Sequence, residues 1–127
     1  MIRQFSIRTS KRSEFIDITR QVAEQVKGVE EGVATVYTPH TTTAVTINEN
    51  ADPDVPRDML KKLGALIPQQ DGYSHAEGNS DAHVKASLLG SSVQVIVKDG
   101  QLLLGTWQGI FLCEFDGPRT RTCYVQV

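Results

Sequence analysis

The last third of this 127-residue chain consists of short β-type segments joined by turns, and this feature limits the fold more than any other. Residues 92–98 are rich in valine and isoleucine, and the Asp99-Gly100 pair that follows is a strong tight-hairpin signal. Residues 101–104, 107–115 and 118–127 continue as further strands. Strands joined by short turns pair antiparallel, so this region predicts an antiparallel sheet.

Three more strands are predicted in the first half of the chain. Residues 1–9 alternate polar and apolar side chains, and residues 32–38 and 43–49 are rich in β-branched types. The total is about seven or eight strands and two or three helices. Consecutive hairpins after a mixed order of elements favour an α+β fold of mostly antiparallel sheets, such as a sandwich, over a doubly wound fold. The length fits a single domain, residues 1–127.

The helical segments lie between and after the first strands. Thr19 is expected to cap a first helix that ends at Gly28. A leucine-rich stripe over residues 59–66 predicts a second helix, with Asp52 or Asp54 near its N-cap. Asp81 is expected to cap a short third helix. The polar loop of residues 69–80 precedes it, and loops of that length are commonly functional.

Charge and hydropathy exclude several functions. Thirteen basic against fifteen acidic residues give a net charge of −2, and no basic run invites a nucleic-acid backbone. No apolar run reaches the roughly 20 residues that a membrane helix needs, and no signal peptide is evident. We therefore expect a cytoplasmic protein without nucleic-acid or membrane partners. Cys113 and Cys123 are expected to be buried, reduced thiols.

All three histidines fall in two polar segments, residues 38–43 and 75–83. Three neutral imidazoles from His40, His75 and His83 could hold a zinc ion and leave a position open for water or substrate. Spacing alone is not diagnostic, because His75 and His83 do not form an i, i+4 pair. Histidines that are solvent-exposed or hydrogen-bonded for structural reasons are the alternative. Their position at the edges of predicted elements favours a shared site, because loops on a rigid frame carry function.

The carboxylates and amides near these segments have two interpretations each. Glu77 could act as a general acid or base, or orient an imidazole. Alternatively it is a solvated loop carboxylate, which its local sequence favours. Asn48 and Glu49 could belong to a polar cluster at the end of a strand, whereas turn and capping chemistry is the alternative for the aspartates that follow.

The C-terminal strands carry one tryptophan and a pair of arginines. Trp107 is expected in the core, as a lone tryptophan usually is; the alternative is a wall on which a flat substrate stacks. Arg119 and Arg121 are one strand period apart and could share a face, where the guanidinium fork suits phosphate. The alternative is a pair of exposed edge charges. Neither a GxxxxGK phosphate loop nor a GxSxG serine motif occurs.

Several of these segments together resemble one known family. The most specific are Gly-Gln-Leu-Leu-Leu-Gly-Thr-Trp-Gln at 100–108 and Glu-Phe-Asp-Gly-Pro-Arg at 114–119. The motifs Thr-Pro-His-Thr-Thr at 38–42, Asn-Glu-Asn-Ala-Asp at 48–52 and His-Ala-Glu-Gly-Asn at 75–79, with His83, match as well. The chain resembles the YjbQ-like family, the secondary thiamine-phosphate synthases, along nearly its whole length. One departure is Val97-Lys98-Asp99, where many relatives carry a proline.

The resemblance implies the YjbQ-like α+β fold, a homotrimer and a cleft that gathers the polar motifs. It implies a thiamine-phosphate-synthase-like transferase, which joins a pyrimidine pyrophosphate to a thiazole phosphate and releases pyrophosphate, as a secondary activity. It also implies a divalent metal, with zinc as one candidate, at His40, His75 and His83. The alternative is a non-catalytic trimeric module that binds a metal or a small anion.

With the resemblance, the candidate site residues fall into two further groups. Catalytic roles are expected for Glu77, His75 and Arg119, and Trp107 would stack on the heterocycle of a phosphorylated small-molecule substrate. The residues expected to bind that substrate are Thr41, Thr42, Asn48, Glu49, Asn79, Trp107, Gln108 and Asp116.

Overall fold

Hydrophobic alternation and turn residues place eight strands and three helices along the chain in the computed structural model, which describes residues 1–127. The elements are β1 (Ile2–Arg8), β2 (Glu14–Asp17), α1 (Thr19–Gln25), β3 (Glu31–Tyr37), β4 (Thr43–Glu49), α2 (Asp54–Leu66), α3 (Ser80–Leu89), β5 (Ser92–Lys98), β6 (Gln101–Leu102), β7 (Gln108–Glu114) and β8 (Thr120–Gln126).

The strands form two antiparallel sheets. One has five strands in the order β1-β8-β3-β5-β6, and the other has three in the order β2-β7-β4. All strand pairs are antiparallel, which confirms the predicted α+β class. The β5–β6 hairpin turns at Asp99 and Gly100 with φ values of 53° and 74°, the left-handed conformation that an Asp-Gly pair favours.

Two apolar clusters lie on opposite faces of the three-stranded sheet. Ile110 and Leu112 of β7 point into the larger cluster, which also takes side chains from the five-stranded sheet and from α1. Phe111 and Cys113 point to the other face, where α2 and α3 cover a smaller cluster. Successive side chains of a strand alternate between faces, so β7 is buried on both sides and forms the centre of the molecule.

The helix starts differ in part from those expected. The N-cap of α1 is Ile18, not Thr19, because Asp17 Oδ1 accepts hydrogen bonds from the Thr19 N–H (2.9 Å) and hydroxyl (2.6 Å). Thr19 Oγ1 in turn accepts the Ile110 N–H, which joins the helix to β7. At α2, Asp52 accepts the Asp54 N–H at 2.9 Å, as its predicted position near the N-cap requires.

Asp81 does not cap α3, because the helix begins one residue earlier, at Ser80. Its carboxylate is fully buried and bonds to Arg12 and Lys85. An acidic residue in the first turn is still favoured by the helix dipole, but here its partners are side chains.

Burial in the core is predicted for both cysteines and for the tryptophan, and the structure confirms it for the cysteines only. Cys113 and Cys123 are both buried and unbridged, as predicted. Trp107 is 62% exposed, so its predicted place in the core is wrong: it lies in the turn before β7, beyond the edge of both apolar clusters. None of the three helices has the length and apolar content needed to cross a bilayer.

Candidate functional site

A polar cavity of about 460 Å³ opens where the β3–β4 connection, the loop before α3, α3 itself and the β7–β8 connection meet. No hydrophobic side chain lines it. Its lining residues are Pro39, His40, Thr41, Thr42, His75, Glu77, Asn79, His83, Asp116, Arg119 and Arg121.

The β3–β4 connection is held in place by its threonines. The hydroxyls of Thr38 and Thr43 are 2.6 Å apart and buried. The Thr43 N–H and hydroxyl both donate to the His40 carbonyl oxygen, at 3.4 and 3.3 Å. Thr42 accepts the Phe115 N–H at its carbonyl. These bonds tie both ends of the turn to the sheets, so His40 is presented to the cavity by a fixed backbone.

His40 is an acceptor at one ring nitrogen. The Thr122 N–H donates to His40 Nε2 at 2.9 Å, so Nε2 carries no proton and the neutral ring has its proton on Nδ1. Burial lowers the pKa of His40, and the positive charge of Arg121 lowers it further, against an opposing effect of Glu114. The ring is therefore a neutral imidazole with a single N–H donor, Nδ1.

The floor of the cavity is a buried ion pair. Arg121 donates to Glu114 from Nε at 2.8 Å and from Nη2 at 2.5 Å, and its Nη2 also donates to Thr42 Oγ1 at 2.8 Å. The two side chains are 5% and 0% exposed. Glu114 additionally accepts the Thr9 hydroxyl and the N–H groups of Phe115 and Asp116. These additional hydrogen bonds offset part of the cost of burying the charged pair.

Asp116, Arg119 and Asn79 form one side of the cavity. Arg119 donates from Nε to the Asp116 carbonyl at 2.9 Å and from Nη2 to its carboxylate at 3.2 Å. Asn79 Nδ2 donates to the same carboxylate at 2.9 Å. The Asn79 side chain is buried, and its Oδ1 has no hydrogen-bond partner. This side therefore presents an arginine and a neutralised carboxylate, and Asn79 Oδ1 is buried there without a partner.

The loop before α3 and α3 itself supply two histidines and a glutamate to the lining. The rings of His75 and His83 lie edge to face with centroids 5.7 Å apart. Glu77 Oε2 is 3.8 Å from His75 Nε2, beyond hydrogen-bond distance but close enough for a proton to pass through one water molecule. His75 and Glu77 thus line the same cavity as Arg119 and Arg121.

Nine of the predicted site residues meet in this cavity. They are His40, Thr41, Thr42, His75, Glu77, Asn79, His83, Asp116 and Arg119.

The other four predicted residues, Asn48, Glu49, Trp107 and Gln108, lie elsewhere. In the β4–β7 register Thr43 pairs with Glu114 beside the cavity, whereas Glu49 pairs with Gln108 at the far end. Six residues of strand correspond to about 20 Å.

The far-end residues have hydrogen bonds of their own. Asn48 Oδ1 accepts the Glu49 N–H at 2.7 Å, and Gln108 Oε1 accepts the Gly105 N–H at 2.8 Å. Within one chain, the two sets of predicted substrate-binding residues therefore belong to opposite ends of the same strand pair.

A zinc ion bound by three imidazoles does not fit this geometry. No group of three or more His, Cys, Asp or Glu side chains is arranged to hold a metal ion. His40 has Nε2 bonded to the Thr122 N–H and a proton on Nδ1, so its neutral ring has no lone pair left for a metal. The metal predicted at His40, His75 and His83 would require His40 Nε2 to release the Thr122 N–H. It stays a prediction, which metal analysis of tag-free protein and of a His75→Ala variant checks.

Two lining residues of the cavity, Pro39 and Arg121, were not among the predicted site residues, and neither was Glu114, the buried partner of Arg121. Arg121 is one strand period from Arg119, and that spacing is the signal that could have placed it in the site. Glu114, at the C-terminal end of β7, belongs to a motif of the family resemblance, but no spacing links it to Thr9 and Arg121. These partners directly follow β1 and lie in β8, two strands of the five-stranded sheet.

Comparison with known proteins gives one consistent answer. A family model described as UPF0047 protein YjbQ-like matches residues 3–127. The UPF0047 protein YugU of Bacillus subtilis is 53% identical over 100% of this chain and 98% of its own length. A UPF0047 protein of Methanocaldococcus jannaschii is 51% identical over 100% of this chain and 94% of its own length.

Solved structures agree with this result. A crystal structure of a YjbQ/UPF0047-family protein from Clostridium acetobutylicum superposes with a TM-score of 0.95 at 54% identity, covering 97% of each chain. A conserved hypothetical protein from Thermus thermophilus superposes with a TM-score of 0.93 at 39% identity, covering 98% of each chain.

Proposed function

The chain belongs to the UPF0047 YjbQ-like family, and we propose that its polar cavity binds the phosphate groups of a small molecule and catalyses the displacement of one of them. The observation that carries this proposal is the convergence of Arg119 and Arg121 on a cavity without hydrophobic lining. Guanidinium groups match phosphate oxygens in both charge and geometry.

Both arginines keep donors for a ligand. A guanidinium has five N–H donors. Arg121 uses three of them on Glu114 and Thr42, which leaves the two on Nη1. Arg119 uses two on Asp116, which leaves three. The internal bonds fix both groups in position, so a phosphate group is met by donors that are already oriented.

Neutral donors complete the proposed phosphate site. The Nδ1–H of His40 and the hydroxyl of Thr41 are not used within the chain and belong to the cavity lining. The nearby carboxylates of Glu114 and Asp116 are each already bonded to an arginine. A phosphate group that replaces water at these donors therefore meets no carboxylate that lacks an arginine partner near Arg119 and Arg121.

The reaction that the family resemblance implies uses such a site for its leaving group. The bond between the pyrimidine methylene carbon and the pyrophosphate oxygen breaks, and its electron pair leaves with the pyrophosphate. The thiazole nitrogen forms the new carbon–nitrogen bond. Negative charge develops on the departing pyrophosphate, and Arg119 and Arg121 would stabilise it there. Glu77, with His75 beside it, would supply or accept the proton that equilibrates with the released pyrophosphate.

The second candidate function is binding without chemistry. The lining suits an anion equally well in a non-catalytic module, and Glu77 separates the two candidates because a pure anion site needs no carboxylate. We would assay formation of thiamine phosphate from the two phosphorylated precursors with the native protein, Glu77→Gln, and Glu31→Gln as a matched control on the exposed start of β3.

The catalytic proposal predicts that Glu77→Gln lowers kcat by about 10²-fold or more with pyrophosphate affinity retained. Glu31→Gln should behave as the native protein. Full turnover by Glu77→Gln would remove the catalytic role. Pyrophosphate binding by a native protein without turnover would favour the binding module.

We further propose that the chain assembles as the homotrimer that the resemblance implies, through the outer face of the five-stranded sheet. That face carries exposed apolar side chains with no cover in a single chain, including Ile2 (68% exposed), Ile96 (54%) and Tyr37 (42%). Clustered exposed apolar residues on a small protein commonly mark an interaction surface. A second copy of the chain packed on this face would remove these apolar side chains from water.

A further inference from the structure

A second cavity lies between α2 and α3, on the far side of α3 from the residues that line the phosphate site. It has a volume of about 300 Å³. One wall is apolar and consists of Leu60, Leu63 and Phe115. Arg12, Asp81 and Lys85 lie on the other side.

The charged wall holds two cations and one anion. Asp81 accepts hydrogen bonds from Lys85 Nζ at 2.8 Å and from Arg12 Nη2 at 3.0 Å and Nη1 at 3.2 Å. The Asp81 and Lys85 side chains are 0% and 6% exposed. The Arg12 side chain is 33% exposed, so the group has a net positive charge that is shared between a solvated guanidinium and the nearly buried ammonium of Lys85 beside the cavity.

Lys85 has donors to spare at this position. An ammonium group has three N–H donors, and Asp81 is the only hydrogen-bond partner of Lys85 Nζ. Two donors of a nearly buried cation are therefore available beside the cavity. Their position at its lining makes Lys85 the natural contact for an incoming anion.

The charge state of Asp81 is consistent with the net positive charge of the group formed by Arg12, Asp81 and Lys85. Burial alone raises the pKa of Asp81, but the hydrogen bonds and charges of Arg12 and Lys85 outweigh it and hold the pKa below the ordinary value. Asp81 is thus ionised at neutral pH and already shared between two cations. It neutralises one of them, and the other is left without a counterion.

We propose that this cavity is a separate binding site for a small amphipathic carboxylate. The carboxylate would accept the free donors of Lys85, and the hydrocarbon part would pack against Leu60 and Leu63. Phosphate is the poorer candidate, because one wall is apolar and would leave its oxygens without donors. This site goes beyond the proposed function, since its ligand class and its lining residues differ from those of the phosphate site.

Hexanoate is a suitable probe, because it combines one carboxylate with a short hydrocarbon chain. Amide chemical shifts of the full-length native protein would be followed by NMR during titration, with hexan-1-ol and hexylammonium as ligands that lack the negative charge. Lys85→Met removes the proposed contact while leaving the Arg12–Asp81 pair balanced. Gly64→Leu is a second variant, because Gly64 lines the cavity and an added Cβ meets nothing within 4 Å.

We expect saturable shifts in α2 and α3 at millimolar hexanoate, and at least about tenfold weaker binding in Lys85→Met, as the loss of a charge-assisted hydrogen bond implies. Gly64→Leu should also weaken binding, because it occupies the hydrocarbon half of the cavity. The proposal is overturned if hexanoate gives no saturable shifts, if hexylammonium binds as well, or if Gly64→Leu and a folded Lys85→Met bind as the native protein does.

Discussion

Arg121 of the five-stranded sheet donates two hydrogen bonds to Glu114 of the three-stranded sheet, and the two side chains are almost entirely buried. This ion pair joins the sheets directly below the proposed phosphate site. It therefore positions one of the two arginines on which the proposal depends, and it also contributes to the stability of the fold.

The first prediction concerns that pair. Glu114→Gln leaves the Arg121 charge buried without its partner, so we expect the free energy of unfolding to fall by about 3–5 kcal/mol. Denaturant unfolding followed by circular dichroism measures it. Glu31→Gln on the surface should change stability by no more than about 0.5 kcal/mol. The double variant Glu114→Gln/Arg121→Met should recover part of the loss; equal stability of native and Glu114→Gln proteins would contradict this account of the pair.

The second prediction is a pH dependence of stability from His40. Its pKa is lower in the folded chain than the ordinary value of about 6.5, because burial and Arg121 disfavour the charged ring. Between the ordinary pKa and the lowered pKa of the folded state, His40 is protonated in the unfolded chain but not in the folded chain. The free energy of unfolding therefore decreases as the pH falls through this range, and it stops decreasing below the folded pKa. Protonation would also break the bond from the Thr122 N–H.

Thermal unfolding between pH 7.5 and pH 4.5 (approximate limits set about that ordinary value) measures the effect. His40→Gln keeps an acceptor for Thr122 and removes the titrating ring, so its decline in melting temperature on acidification should be smaller than that of the native protein. Parallel declines in both proteins would show that His40 is not the group responsible.

The third prediction concerns the far end of β4 and β7. A Cβ added at Gly109 would collide with the Asn50 side chain, which Asp17 holds through a hydrogen bond at 3.0 Å. Gly109→Ala should therefore lower stability by about 1–3 kcal/mol, as overpacking does. A Cβ added at Gly64 of α2 meets nothing within 4 Å, so Gly64→Ala should not destabilise. An unchanged Gly109→Ala protein would mean that Asn50 is free to move.

The fourth prediction tests assembly. If the outer face of the five-stranded sheet forms the trimer interface, Ile96→Glu on β5 places a charge in that interface and should give a monomer in sedimentation velocity at neutral pH. Lys62→Glu on α2 also adds negative charge, but away from that face, and should leave the trimer intact. A native protein that sediments as a monomer would contradict the assembly proposal, and a trimeric Ile96→Glu protein would contradict the chosen face.

The sequence predicts local features of this fold better than pairings between distant segments. The Asp99-Gly100 turn and the buried cysteines follow from local chemistry and from β-type patterning. Capping is a local rule and predicts Asp81 as an N-cap, yet its partner Arg12 lies 69 positions away. Lys85, four residues after Asp81, was the local signal that could have revealed the buried pair.

In the candidate site too, local features are predicted better than contacts between distant segments. His40 and His83 come together because the β3–β4 turn and α3 meet beside β7, a contact that no spacing encodes and that the family resemblance anticipated. Trp107 and Glu49 belong to motifs just as distinctive, but the β4–β7 register places them at the opposite end of the strands. Motif content therefore identified polar residues of interest without showing which of them share a surface in one chain.

The most direct test of the central claim is calorimetric titration of pyrophosphate into the native protein and into Arg119→Gln, in buffer freed of divalent metal. Arg119 lies on the surface with its side chain 55% exposed, so the variant is expected to fold. We expect saturable binding to the native protein and an affinity at least about tenfold lower for Arg119→Gln, because charged hydrogen bonds are removed. The absence of pyrophosphate binding to the native protein, or equal affinity in the two proteins, would contradict it.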